Sequence, residues 1–440
     1  MGKKNTLSLV LVTITVLLSQ SLWAGPTERN QAKRIHDRLT GVAATNATID
    51  AMEATLDCLL TPVAGFPCDP TGKNAARYAI DTLVNPNARY FYNVSLKNFA
   101  TPWTNEEQTV FTPLNDYAAT VVGLIRDGGD FRQILHGDII YRGATNLGIR
   151  AYSNRNNFHY EDLEDLGPIT GDLANPSILQ GTVTTPSVTQ SAVTGLASSA
   201  TAGVMTSRAG AMAFFSDGTN RAMFRFTMMN HLCTDLEPLK DVSRTPDHVR
   251  RDVSRSPGGD SRIFLNSCVG CHAGMDGMAG AFAHYEWDYT NDKSDGRLAY
   301  RETGNPKFDP ITGVSLKHNI NENNFENGHI TNDDSWINYW RNGQNWLLGW
   351  SSSYPGLQLT SNGKENAIGN GAKSLGLELA NSDAFARCQV DKVFEAVCLR
   401  SPTEYFGTDR AVRDGIVTAF KTTYNMREVF TDVAAHCKGN

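Results

Sequence analysis

Residues 268–272 read Cys-Val-Gly-Cys-His, and no other stretch constrains the fold as tightly. Two thiols two residues apart, followed at once by an imidazole, form the attachment spacing of a c-type haem. Cys268 and Cys271 each reach one vinyl group of a porphyrin, and His272 lies under the ring as the axial iron ligand. The fold must therefore present these three side chains to one flat macrocycle from a single short turn. Two other uses of a Cys pair fit less well. A ribbon-type zinc site needs a second close pair of Cys or His ligands, which the sequence lacks. A thioredoxin-like dithiol follows a strand inside a βαβ pattern, and no such pattern surrounds Cys268.

The start of the chain points to export. Residues 1–24 open with Lys3 and Lys4, run through an apolar stretch from Leu7 to Leu18 and end Leu-Trp-Ala. This is the layout of a secretory signal peptide cut after Ala24. The apolar run is too short for a comfortable transmembrane span, and no later segment resembles one. A soluble, periplasmic mature chain is expected. Without the leader, 38 basic face 46 acidic side chains, a formal charge of −8. With no basic stripe to neutralise phosphates, a nucleic-acid partner is not expected.

Eight cysteines are present, and two are assigned to haem. The other six are an even number in an oxidising compartment, which allows up to three disulfides. Cys58 and Cys68 flank a Pro- and Gly-containing loop and suit a local bridge. Cys388 and Cys398 are ten residues apart in a helical pattern, about 15 Å on one helix, too far to join each other. One of them is expected to meet Cys437 across a helix hairpin. The partner of Cys233 stays open.

The pattern along the chain is mainly α. Helices are predicted in residues 26–60, with apolar faces at Ala32–Leu39 and Ile49–Leu60, and over Pro70–Leu83, Tyr117–Arg126 and Phe131–Ile140. Residues 84–117 read as turns and packing loops. The Ser/Thr-rich stretch 178–206 reads as a linker or long loop. A helix bearing Met223, Phe224, Phe226, Met228, Met229 and Leu232 follows, a stripe that reads as core. Asp333, Asp334 and Ser335 read as the start of a helix with Trp336 and Trp340 on one face, and the Gly-rich residues 362–371 as a break. Ser382 caps a helix to Leu399, Asp409 starts another to Thr423, and Met426–Cys437 forms the last. About four hundred residues exceed one small haem domain. The expected organisation is an N-terminal helical domain (25–177), the Ser/Thr-rich linker (178–206), a c-type haem domain (207–355) and a C-terminal helical module (356–440), with long irregular loops.

Around the motif, Gly258 and Gly259 make a turn, and Asp260 or Ser261 caps the helix that delivers Cys268. Phe264, one turn earlier, is expected against the ring. Arg250, Arg251, Arg255 and Arg262 lie close enough in sequence to pair with haem propionates, and Arg262 is taken with Phe264 as the non-covalent haem contact. The second iron ligand decides what the iron does. Met275 is three residues past His272, about 10 Å of extended chain, too short to round the ring; Met278 is strained; Met426 is distant. His284, His318 and His329 follow, and His318 and His329 have ample reach as alternative distal ligands.

The run Cys-Val-Gly-Cys-His-Ala-Gly-Met-Asp-Gly-Met-Ala-Gly-Ala-Phe-Ala-His-Tyr-Glu-Trp-Asp resembles the haem segment of planctomycete-type cytochrome c proteins, exported proteins of unknown function. Their pattern follows the attachment site with an Asp-Pro-Leu-Gly-Phe-Ala-like stretch. Asp276 matches it, whereas Gly277 replaces the proline. The closing Ser-Asp-Ala-Phe-Ala-Arg-Cys-Gln-Val…Leu-Arg-Ser-Pro and the opening Arg-Leu-Thr-Gly are also similar, so the resemblance covers about half the chain. It implies covalent haem at Cys268 and Cys271 with iron ligation by His272, and it names no reaction. The leading expectation is a monohaem electron carrier with a redox partner protein. The alternatives are a peroxidase-like haem oxidoreductase with an open distal site, for which the extra length speaks, and a scaffold that haem staples together.

Overall fold

The computed structural model describes residues 27–216, 220–301, 328–331, 333–361, 363, 365–402 and 407–439. The leader and His318 lie outside the described residues. The chain is mainly α, 54% helical with 7% strand. No helix among the described residues is long and apolar enough to cross a membrane. Contacts divide the chain into two compact units, one made of the chain up to Phe91 with the residues from Phe430 onward, the other of Tyr92–Val429.

The first unit packs α1 (Thr27–Thr40), α2 (Asn46–Leu56) and α3 (Lys73–Ile80) on one another. Ala32, Ile35 and Leu39 line the buried face of α1, the spacing of a helical stripe. Thr45 caps α2, accepting the Thr48 amide at 3.1 Å. The loop after α2 is closed by the expected Cys58–Cys68 disulfide.

In the second unit, α4 (Asp116–Arg126) is buried along its whole length. Residues 84–117 are more helical than their aromatic and Asn/Thr content suggests, with a π turn Phe91–Leu96, a helical turn Lys97–Ala100 and a 3-10 turn Thr101–Thr104 in succession. Burial of Leu96, Ala100 and Trp103 supplies what local propensity lacks. The predicted helix Phe131–Ile140 is reduced to Gln133–His136, because Gly137 leaves the helix with extended backbone. Residues 178–206 contribute strand β2 (Leu179–Gly181), paired antiparallel with β1 (Tyr141–Gly143), and a short helix capped by Thr189. Within that stretch the buried Gln190 donates to the Gly203 carbonyl at 2.9 Å and accepts from Thr206 at 2.7 Å.

Further along come α5 (Arg208–Phe214), α6 (Arg221–Leu232) and α7 (Val269–Ala279), then α8 (Gly371–Ala380), α9 (Asp383–Cys398), α10 (Gly407–Thr423) and α11 (Met426–His436). Ser382 caps α9 as predicted, accepting the Phe385 amide at 3.1 Å. Helix α6 packs on both α7 and α9. Its Met223, Phe224, Met228 and Leu232 are buried, as a core stripe requires, while Phe226 and Met229 are half-buried. Cys233 ends α6 in the left-handed region (φ 52°) and is bonded to Cys388 of α9. Cys388 is therefore engaged there rather than with Cys437, although Cys398 and Cys437 are also oxidised.

The tryptophan segment differs from its sequence reading. Ser335–Asn338 is a strand, β5, not a helix. It pairs antiparallel with β7 (Ala367–Asn370), which lies inside the Gly-rich stretch and also pairs with β6 (Gln358–Leu359). Strands β3 (Tyr285–Asp288) and β4 (Arg297–Tyr300) form a further hairpin. Gly369 makes the β5–β7 pairing possible, since a Cβ there would lie 2.7 Å from the Trp336 ring. Trp340 follows in a 3-10 turn and is buried against Phe224, ring centroids 5.8 Å apart.

Candidate functional site

Asp260 starts the segment that carries the motif, accepting the Arg262 amide at 2.9 Å. A short helix, Ser261–Ile263, runs into a π turn, Phe264–Cys268, and then into α7. Such wide turns inside helices recur at functional sites. Residues i, i+3 and i+4 of a helix share a side, so Cys268, Cys271 and His272 project together. The two cysteines are thiols and half-buried.

The opposite side of α7 is its packing face. A Cβ at Gly274 would lie 2.0 Å from Trp340 Nε1, and one at Gly277 would lie 2.9 Å from the Ile337 carbonyl oxygen. Gly277 lets β5 approach the helix backbone. Gly274→Ala is expected to force Trp340 out of place and to destabilise the protein by about 1–3 kcal/mol, the usual range for overpacking. Urea unfolding measures this, and a loss under about 0.5 kcal/mol would contradict the packing described.

His272 is held from behind. Its Nδ1 lies 3.3 Å from each carboxylate oxygen of Asp276, one helical turn on. Asp276 is fully buried and is gripped by Arg221 of α6, Nε to Oδ1 at 2.7 Å and Nη2 to Oδ2 at 2.9 Å. The Arg250 amide donates to Asp276 Oδ2 at 3.2 Å. Arg221 turns its other edge to Asp252, with two bonds of 2.8 Å. Burial pushes the Asp276 carboxyl up, but the hydrogen bonds from His272 and Arg221 and the charges of Arg221 and Arg250 outweigh it and hold the group well below the usual carboxylate range.

The arginines near the motif divide by role. Arg262 is 82% exposed and forked onto Asp260. Arg255 donates to the Val249 and Val253 carbonyls at 2.6 and 2.7 Å, and its guanidinium lies 4.8 Å from the Phe264 ring centroid. Arg251 donates to the Gly328 carbonyl at 3.3 Å. Arg250 differs: it is buried, among the described residues its Nε and Nη2 have no hydrogen-bond acceptor, and Asp252 lies 3.7 Å away. Burial, reinforced by the charge of Arg221, pulls its guanidinium below the ordinary value. Buried guanidinium N–H groups without acceptors are costly and suit an incoming carboxylate. Of the sequence candidates, then, Arg250 offers the open donors that Arg262 does not.

Phe264 is buried with Val249, Val269 and Ala273, and Cys268 packs against this cluster. Several apolar side chains in neighbouring segments are exposed. Leu265 and Val242 are more than half exposed, as are Trp346 and Leu347, and the turn carrying the last two is tied to Leu239 by Asn345 at 2.8 Å. Val242 lies 3.2 Å from where a Gly270 Cβ would stand, which places it beside the motif.

The distal candidates scatter. The backbone of His329 runs beside Arg250, its amide bonded to the Val249 carbonyl at 3.0 Å. Its ring packs on His248 with centroids 4.7 Å apart. Burial lowers the pKa of both imidazoles. Met275 and Met278 are buried in α7, and Met426 is buried at the start of α11. His284 Nδ1 lies 3.3 Å from the Tyr300 hydroxyl. A separate cleft of about 950 Å³, lined by Asn105, Glu161 and Arg208 among others, contains none of the motif residues. Among the described residues, no group of three or more His, Cys, Asp or Glu side chains converges as a metal site.

Sequence reasoning missed Arg221, Asp252 and the service of Asp276 to His272. The last was accessible, since Asp276 follows His272 at the i+4 spacing of helix neighbours. The chain matches no protein-family model, no curated protein and no solved structure.

Proposed function

We propose that this is an exported monohaem c-type cytochrome that exchanges single electrons with a protein partner. The observation that carries the reading is the common side of one helical turn on which two free thiols and an imidazole project, with the imidazole held through Nδ1. Because Nδ1 is engaged, Nε2 is the nitrogen left for iron. Each thiol would add across one vinyl double bond of the porphyrin, forming a C–S and a C–H bond with no leaving group. Arg250 would receive a propionate on its open N–H groups, and Val242, beside the motif, would lie near the ring edge. A bound haem iron would supply the ferric–ferrous exchange. His329 and His318 remain the proposed distal ligands. Oxidised Cys58, Cys68, Cys233 and Cys388 support an oxidising compartment, in keeping with the leader-like residues 1–24.

A second reading, a haem oxidoreductase with an open distal position, draws support from the His272–Asp276 pair, because a carboxylate raises the basicity of the imidazole it holds. The two readings differ in ferric spin state. Protein matured in a host that assembles c-type cytochromes is expected to carry the mass of one covalent haem and a low-spin ferric spectrum. A high-spin spectrum with peroxide turnover would favour the second reading. Absence of the haem mass would overturn both.

A further inference from the structure

We infer that Asp276 is the positioning residue of the iron centre, fixing which nitrogen of His272 faces the metal and holding the iron at low reduction potential. The inference rests on the haem reading above. Three observations carry it. The carboxylate is fully buried and lies 3.3 Å from His272 Nδ1 through both oxygens. It cannot turn away, because Arg221 forks onto both of its oxygens and the Arg250 amide donates to one of them. Arg221 is itself fixed, because Asp252 accepts two further bonds of 2.8 Å from its other edge.

A neutral imidazole that gives its Nδ1 proton to a carboxylate can offer only Nε2 to iron, and offers it with more electron density. The ferric state carries one more positive charge than the ferrous state, so a nearby anion and a more basic ligand both favour it. The half-potential therefore falls. Arg221 sets how far it falls, since the share of the negative charge taken by the guanidinium is not available to the imidazole.

The test is potentiometry on the holoprotein, with haem attachment read separately by mass. Asp276→Asn is expected to keep covalent haem and to raise the midpoint so that the ferrous-to-ferric ratio at a fixed applied potential grows at least tenfold, or 59 mV for one electron. Asp276→Glu keeps the charge and is expected to stay within half that interval of the wild type. Haem present with an unmoved midpoint in Asp276→Asn overturns the inference and leaves the haem reading standing. No haem on the wild type overturns both. Should Asp276→Asn fail to fold, Asp252→Asn leaves Arg221 to Asp276 alone and so weakens the pull on the His272 proton. Its midpoint is expected to rise, and an unmoved value there overturns the inference.

Discussion

Replacing Cys268 and Cys271 together with alanine is expected to take covalent haem from one group per chain to none. On the haem reading the two thiols are the attachment chemistry, and they are the free cysteines among the described residues, the other six being disulfide-bonded. Each single variant keeps one sulfur and is expected to keep haem through one thioether. Denaturing mass spectrometry separates the three proteins, and haem retained after acid extraction of the double variant would end the attachment scheme. The loss of haem is not a loss of fold by another name. Both side chains are only half-buried, and a thiol behaves there as a small apolar group, so alanine leaves little void. The apo variant is nevertheless expected to melt below the holoprotein, because a ligand that binds only the folded chain stabilises it.

Arg221→Ala is expected to cost about 3–5 kcal/mol at neutral pH, the usual result of removing one member of a buried ion cluster. The reason is what remains. Asp252 and Asp276, 7% and 0% exposed, would keep their charges and lose four charge-assisted hydrogen bonds. Arg250, 3.7 Å from Asp252, softens the effect without replacing those bonds. The pH dependence follows from the direction of the Asp276 shift. Its folded pKa is depressed, so the stability it contributes is complete above the unfolded carboxylate value of about 4 and is lost as pH falls through the depressed folded value. The variant lacks the guanidinium that supports this depression. Its deficit against the wild type should therefore be largest near pH 7 and narrow in acid. Urea unfolding of both proteins across that range decides the matter, and a deficit below about 1 kcal/mol, or one that widens in acid, would show that the cluster is not what holds this corner together.

What could be read from the chain alone was whatever is local. The Ser382 cap of α9 and the Cys58–Cys68 loop each lie within about a dozen residues, and each kept its form in three dimensions. The errors share another cause. Trp336 and Trp340 stand four apart behind Asp and Ser, which satisfies a helix start, yet Ser335–Asn338 is a strand because its partner is the Gly-rich 367–370 segment some thirty residues on. Arg221 is 55 residues from Asp276, and Cys233 is 155 from Cys388. Pairings at such distances leave no periodic trace, since they depend on which faces the packed helices turn toward one another.

The bond between Cys233 and Cys388 has a chemical corollary. It encircles the motif in sequence, so the chain must keep two sulfhydryls reduced inside a loop whose ends are oxidised. Thiolate attack on a neighbouring disulfide is the route by which such an arrangement scrambles. Burial, with Glu237 and Asp235 adding to it, raises the Cys271 thiol above its ordinary pKa, which starves that reaction of its nucleophile. The folded helix thus preserves its own sulfur inventory, quiet toward exchange until something more electrophilic arrives.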